Sequence, residues 1–241
     1  MSERKVLGDR HVKRLIEHAF AAAEEHGPHI TRFAMYRQLR DVMAAEDGPD
    51  RVVLAISRSR KFARMLGFRE AEIRAADYPE FDLAALDVPD ASVDFVVSDQ
   101  VLEHVAGGPV ACFEETVRVL KPGGVAVHTT CLMNEIHQEP VDYWRFTPFA
   151  LEMLAERFGL EIVQAGSWGN RTASQVIQMG FRKRPVPDDP ENPLFHIATE
   201  NDPAHPIVTW LIARRPAEGD ASGAPAPAAA GEPDADGEQD A

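Results

Sequence analysis

The 241-residue chain holds only two cysteines, Cys112 and Cys131. That is too few for a disulfide framework or a zinc cluster, and they read as buried thiols of a reducing compartment. No uncharged apolar run approaches the ~18 residues of a membrane-crossing helix. The opening Met1-Ser2-Glu3-Arg4-Lys5 lacks the apolar stretch of a secretory signal. The expectation is a cytoplasmic protein with no membrane partner. Basic groups are scarce as well, 25 Lys and Arg against 39 Asp and Glu, and they form no stripe. That balance argues against nucleic acid as the main partner. There is no Gly-x-x-x-x-Gly-Lys, which argues against a P-loop nucleotide enzyme. His128, His137 and Asp142 could be imagined as metal ligands. No His-x-x-x-His or Cys-x-x-Cys supports them, however, and His128 falls inside a strand pattern, so no metal is expected.

The net charge of −14 is unevenly spread. Residues 217–241 carry seven acids and no Lys or Arg, leaving −7 on residues 1–216. With nine Ala, four Gly, three Pro and nothing aromatic or β-branched, that stretch predicts a disordered acidic tail. The remaining residues are 1–50, with two helices, and 51–216, where strands and helices alternate. Val12, Leu15, Ile16, Phe20 and Ala23 recur at helical spacing until Gly27-Pro28. Met35, Leu39, Val42 and Met43 form a second stripe, ended by Asp47-Gly48-Pro49. These two helices predict an N-terminal helical cap, over the cleft or at a homodimer contact.

From residue 51 the period changes. Strands are predicted over 51–56, 72–76, 93–97, 124–130, 160–165 and 207–213, with helices over 58–66, 109–120 and 148–158. The run Val52 to Ile56 is nearly continuous in apolar residues, as in a strand buried on both faces. The alternation predicts an α/β fold, a Rossmann-like doubly wound sheet with helices on both faces. Residues 170–205 form an insertion between the last two strands, with one helix over 172–181. In such sheets ligands bind beyond the carboxyl ends of the strands. The segments at those ends are Ser57–Arg60, Ser98–His104 and Cys131–Arg145.

The stretch Leu86 to Val105, containing Ser98-Asp99-Gln100-Val101-Leu102-Glu103-His104, resembles the fourth-strand region of class I S-adenosylmethionine-dependent methyltransferases. So does Arg118-Val119-Leu120-Lys121-Pro122-Gly123-Gly124, at the family's usual distance. The resemblance spans roughly residues 50–215. It implies seven strands with the last antiparallel, S-adenosylmethionine as cofactor, and methyl transfer to a small-molecule substrate. His137-Gln138-Glu139-Pro140-Val141-Asp142-Tyr143-Trp144-Arg145 looks like a block from a subgroup often associated with biosynthesis of glycans and surface polysaccharides. A hydroxyl of a sugar or sugar-containing metabolite is therefore the expected acceptor.

The resemblance also assigns site residues. The family's Gly-x-Gly-x-Gly loop is replaced by Ser57-Arg58-Ser59-Arg60, where Ser57 and Ser59 hydroxyls are the expected cofactor contacts. Glycine would supply positive φ and close approach there, which Ser and Arg supply poorly. Asp77 is the candidate for the ribose hydroxyls, with Asp82 and Leu83 near the adenine. Asp99 and Gln100 line the cleft beside the methyl, and His104 reads as a packed residue. His137 is the candidate general base, Asp142 its orienting partner, and Arg145 a bidentate holder of an anion. Tyr143 and Trp144 offer flat faces to a substrate ring, although Trp144 and Phe146 could instead plug the core and Arg145 could pair with Asp142. Two rival readings remain. One is a non-catalytic scaffold that has lost its cofactor with its glycines, and the other is an enzyme using the sulfonium for a different reaction.

Overall fold

The computed structural model describes residues 9–21, 27–138, 140–217 and 219. The predicted acidic tail lies almost wholly outside the described residues. Two helices, α1 (Asp9–Phe20) and α2 (Ile30–Met43), precede the first strand. Then follow β1 (Val52–Ile56), α3 (Arg60–Met65), β2 (Glu72–Ala76), β3 (Val93–Asp99), α4 (Gly108–Val119), β4 (Leu120–Cys131) and α5 (Pro148–Arg157). After β5 (Glu161–Trp168) come α6 (Arg171–Val176), α7 (Pro193–Thr199) and β6 (Val208–Arg214). None of the described helices is long and apolar enough to cross a membrane.

The six strands form one mixed sheet in the order β2-β1-β3-β4-β6-β5. β2, β1, β3 and β4 run parallel, and β6 lies antiparallel between β4 and β5. The antiparallel last strand is as expected, but the count of seven is not: the described sheet has six. The reason is length. Only the residues 77–92 connect β2 to β3, and Pro79 and Pro89 interrupt them. A further strand and its crossover helix do not fit in that span. Instead Arg118 of α4 pins the segment, donating to Leu86 O (2.8 Å), Val88 O (2.7 Å) and Asp90 Oδ1 (2.6 Å). The Leu86 amide in turn donates to Glu115 Oε2 (2.6 Å).

The sheet buries an apolar layer on each face. Leu54, Val96, Phe113, Leu151 and Leu211 belong to one layer, and Phe33, Leu39, Phe68, Phe95, Trp168 and Trp210 to the other. α2 is enclosed on more than one side, with Ile30 through Met35 all buried. That exceeds the one-sided stripe its periodicity predicts. The insertion accounts for it. Val186 N donates to Pro28 O (3.1 Å), Asn192 Nδ2 to Ala19 O (3.0 Å) and Arg37 Nη1 to Asp188 Oδ1 (2.8 Å). So residues 170–205 lie against the leading helices. The expected helix over 172–181 is present in two pieces. α6 ends at Val176 and continues as a wide turn over Ile177–Phe181, with Gly180 at φ +92°.

The insertion is anchored at Gly169. A Cβ there would collide with the carbonyl oxygen of His205 and lie 2.5 Å from the amide nitrogen of Ile207. Both are backbone atoms of the returning chain and cannot swing aside. Gly169→Ala is expected to cost about 3 kcal/mol of stability, as overpacking of a rigid site does, read as a lower urea midpoint.

Candidate active site

The turn after β1 has the shape a glycine would give it, built from other residues. Ser57 and Arg58 adopt φ of +46° and +66°. Ser57 N donates to Ala76 O (2.9 Å) and Arg58 N to Asp77 Oδ1 (2.6 Å). Asp77 therefore holds the loop from the end of β2. Ser59 is 1% exposed, and its Oγ accepts from Asp99 N at 2.9 Å. Its role is to tie the β1 turn to the end of β3 rather than to present a free hydroxyl.

Asp99 is the hub of this end of the sheet. Oδ2 accepts from Tyr36 Oη (2.6 Å) and Arg32 Nε (3.3 Å), and Oδ1 from Thr129 Oγ1 (2.7 Å). Gln100, at φ +58°, donates from its backbone nitrogen to Thr129 O (2.9 Å). Burial and the neighbouring Asp99 raise the Tyr36 phenol well above its usual range, so it stays a donor. Arg32 is held protonated by Asp99 despite its burial. A cleft of about 350 Å³ opens beside this hub, lined among others by His29, Arg32, Tyr36, Arg58, Lys61 and Asp99. Three cations, a carboxylate and the apolar flanks of Phe62 and Met65 meet there.

Arg32, Tyr36 and Lys61 were not visible as site residues in the sequence. Arg32 and Tyr36 sit one helical turn apart in α2, in line with Leu39 and Met43 of its buried stripe. A charged residue within an apolar stretch is the one signal they gave. Likewise α7 was missed, although Asn192-Pro193 marks its start: Asn192 Oδ1 accepts from Leu194 N and Pro193 takes the first turn.

Asp82 lies on the 77–92 segment, where its Oδ1 accepts from Ala84 N (2.9 Å). Leu83 is 2% exposed and packs with Ile56, Ala76 and Leu86. Its side chain belongs to the core, leaving only backbone for a ligand.

The block after β4 forms a second constellation. Asp142 has a 1% exposed side chain and takes both Nη groups of Arg145, with Nη2 at 2.6 Å from Oδ2. The fork of Arg145 is thus spent inside the chain, which corrects its assignment as an anion holder. Arg145 and the His137 amide hold the Asp142 carboxyl well below the usual carboxylate range. His137 Nδ1 lies 3.0 Å from Asp142 Oδ2 and 3.2 Å from Glu135 O. Both are acceptors and both lie nearer than the Asn134 amide nitrogen at 3.3 Å, so Nδ1 carries the ring proton and Nε2 keeps its lone pair. Tyr143 and Trp144 are 49% and 40% exposed. Trp144 donates from Nε1 to Val105 O (3.1 Å), while Phe146 is the residue that plugs the core. His104 Nδ1 contacts Val141 O at 2.8 Å.

Beneath these lies Glu103, fully buried, with Oε2 accepting from Thr130 Oγ1 (2.9 Å) and Oε1 lacking a hydrogen-bond partner. Burial raises its carboxyl above the usual value. His128 is also buried, between Ser98 Oγ (2.8 Å from Nδ1) and Thr116 Oγ1 (3.3 Å from Nε2), and burial lowers its pKa to about 4. Its folded pKa lies below the unfolded value, so on acidification the unfolded chain takes up the proton first. Stability present above pH ~6.5 is lost as pH falls toward 4. Between pH 7 and 5 the protein is expected to lose on the order of 2 kcal/mol more than a His128→Gln chain, read by urea unfolding at both pH values.

Comparison with known proteins agrees with this geometry. A family model for a methyltransferase domain matches residues 38–128. The fold is a methyltransferase fold. Over 65 residues the chain is 46% identical to a probable S-adenosylmethionine-dependent methyltransferase of Mycolicibacterium smegmatis. That alignment covers 25% of this chain and 24% of that protein, about a quarter of its length. The crystal structure of the [4+2]-cyclase SpnF shares the architecture, with a TM-score of 0.51 and 16% identity over 86% of this chain and 93% of that one. A methyltransferase structure from Mesorhizobium loti is 16% identical, covering 77% of this chain and all of that one, with a TM-score of 0.47.

The cofactor of such a domain is S-adenosylmethionine, and the methyltransferase-fold cleft has the chemistry to hold it. An amino-acid end carrying both charges needs cations for its carboxylate and an anion for its ammonium. Arg58 and Lys61 supply the first and Asp99, steadied by Arg32, the second. The positive φ at Ser57 and Arg58 gives this turn the backbone conformation that glycine normally supplies.

Proposed function

We propose that the protein transfers a methyl group from S-adenosylmethionine to a small polar acceptor, a hydroxyl of a sugar or sugar-containing metabolite. The observation that carries this reading is the cleft at the carboxyl ends of β1 and β3, where Asp99 meets Arg32, Arg58 and Lys61. When bound, the cofactor supplies an already activated methyl on its sulfonium, so the chain's own task is alignment. Arg58 and Lys61 bind its carboxylate, and Asp99 its positive end. Arg32 and Tyr36 fix the Asp99 carboxylate from α2, which closes one side of the cleft.

On the acceptor side, His137 takes the hydroxyl proton at Nε2. Asp142 accepts from Nδ1–H and so fixes the ring's orientation and tautomer. Arg145 locks Asp142 in turn. Tyr143 and Trp144 give a sugar ring apolar faces to lie on. Titration calorimetry with S-adenosylmethionine and S-adenosylhomocysteine tests the first half of the reading. Micromolar binding, about −8 kcal/mol, is the expected outcome. Absence of heat and of any thermal shift at millimolar ligand would leave the scaffold reading in its place.

A further inference from the structure

Three side chains that methyl transfer does not require as a set converge under the acceptor block. Glu103, His104 and His137 each bring a ligand atom within 4.8 Å of the others. Their surroundings leave one ligand atom of each free. His104 Nδ1 faces the Val141 carbonyl oxygen, an acceptor only, so it carries the proton and Nε2 holds a lone pair. His137 is in the same state, with Nδ1–H aimed at the Asp142 carboxylate. The two rings meet edge to face, with centroids 4.7 Å apart. Glu103 Oε1 is a buried oxygen without a hydrogen-bond partner. A buried acceptor left unmatched costs free energy unless something arrives to meet it.

We propose that Glu103 Oε1, His104 Nε2 and His137 Nε2 form a site for a divalent cation of the zinc class. Two imidazoles and one carboxylate with an open position are the donor set that zinc takes in its reactive sites. Bonds of about 2.0–2.1 Å place such ligand atoms about 3.3 Å apart, so side-chain rotations must draw the set together. The outer partners are also those of a metal site. Val141 O orients one imidazole and the Asp142 carboxylate the other, fixing tautomer and ring direction. Arg145 holds Asp142 still, and Thr130 holds the second oxygen of Glu103.

The ion would occupy the lone pair on His137 that the proposed base uses. Cation binding and proton removal therefore compete, and zinc inhibits transfer rather than promoting it. The binding itself is independent of whether the protein transfers methyl groups. The experiment is a titration of the full chain with Co2+, followed by its visible absorption, and with Zn2+ in competition. One ion per chain is expected, tetrahedral in its spectrum and displaced by Zn2+. His104→Ala and Glu103→Gln should each weaken binding by at least the roughly 10–100-fold that losing a mere outer partner costs. His104 is partly exposed, so that variant keeps the test open if Glu103→Gln fails to fold. The proposal is overturned if the wild-type chain gives no tetrahedral spectrum at millimolar Co2+, or if both variants bind as the wild type does.

Discussion

Replacing Asp99 with alanine is expected to unfold part of the molecule's margin as well as abolish cofactor binding. Arg32 is a buried guanidinium whose direct ion-pair partner is Asp99, at side-chain exposures of 10% and 18%. Removing one member of a buried pair leaves the other charge without compensation, at a cost of about 3–5 kcal/mol. The carboxylate of Glu103 is near enough to attract Arg32 and trims that cost toward the lower figure. At roughly 2–4 °C per kcal/mol for a chain of this size, the melting temperature should fall by about 6–12 °C. Tyr36 and Thr129 lose their acceptor in the same step. The paired variant Arg32→Met with Asp99→Ala separates the two effects. It should regain most of the stability, because no charge is left stranded, while binding of S-adenosylmethionine remains lost. Recovery of binding in the pair would show that Asp99 serves α2 packing and not the ligand.

The second large effect is expected at His137. With the base gone, turnover on the acceptor should fall by about 10²–10⁴-fold, the usual contribution of a positioned proton acceptor. Cofactor affinity should stay within a few-fold, because His137 lies on the acceptor block and not in the cleft beside β1. Stability should change little: the ring is 29% exposed and fills no core position. Asp142→Asn should lose activity by a different route. Its buried side chain would no longer neutralise Arg145, so both folding and turnover are expected to suffer. Undiminished turnover in His137→Ala would remove the base assignment.

The residues that set these two outcomes differ in how far the sequence revealed them. Asp99 was legible as a candidate because it ends a strand whose apolar run is unmistakable, and carboxyl ends of strands are where ligands gather. Asp142 and Arg145 are three apart, so their pairing was a local possibility that the fold realised. Arg32 and Tyr36 were not legible. They meet Asp99 across 67 and 63 residues of chain, and helical periodicity reports only which face turns inward. A buried Arg on that face looks like an exception to the stripe until its partner is known. Glu103 was hidden for a similar reason. It stands in a short turn (Leu102–His104) that periodicity leaves unassigned, and only the strand beside it encloses the carboxylate. The glycine-free loop misled in another way. Composition suggested a turn that takes positive φ poorly, yet Ser57 and Arg58 take it, with Asp77 accepting from the Arg58 amide.

The shortened link between β2 and β3 reaches beyond the cleft. With no further strand on that side among the described residues, β2 is a border of the described sheet, and one row of its peptide groups faces outward. Open borders of this kind recruit strands from other molecules, which leads to uncontrolled self-association. Here Glu72 and Arg74 stand exposed along the border and grip one another, Arg74 Nη2 to Glu72 Oε2 at 2.9 Å. A ladder added from another copy would place these charges opposite their own kind in a parallel match and strip water from them in any match. The compact link thus transfers a burden to two side chains: their charges oppose the addition of a strand along that flank, a duty that would vanish if the missing strand were restored.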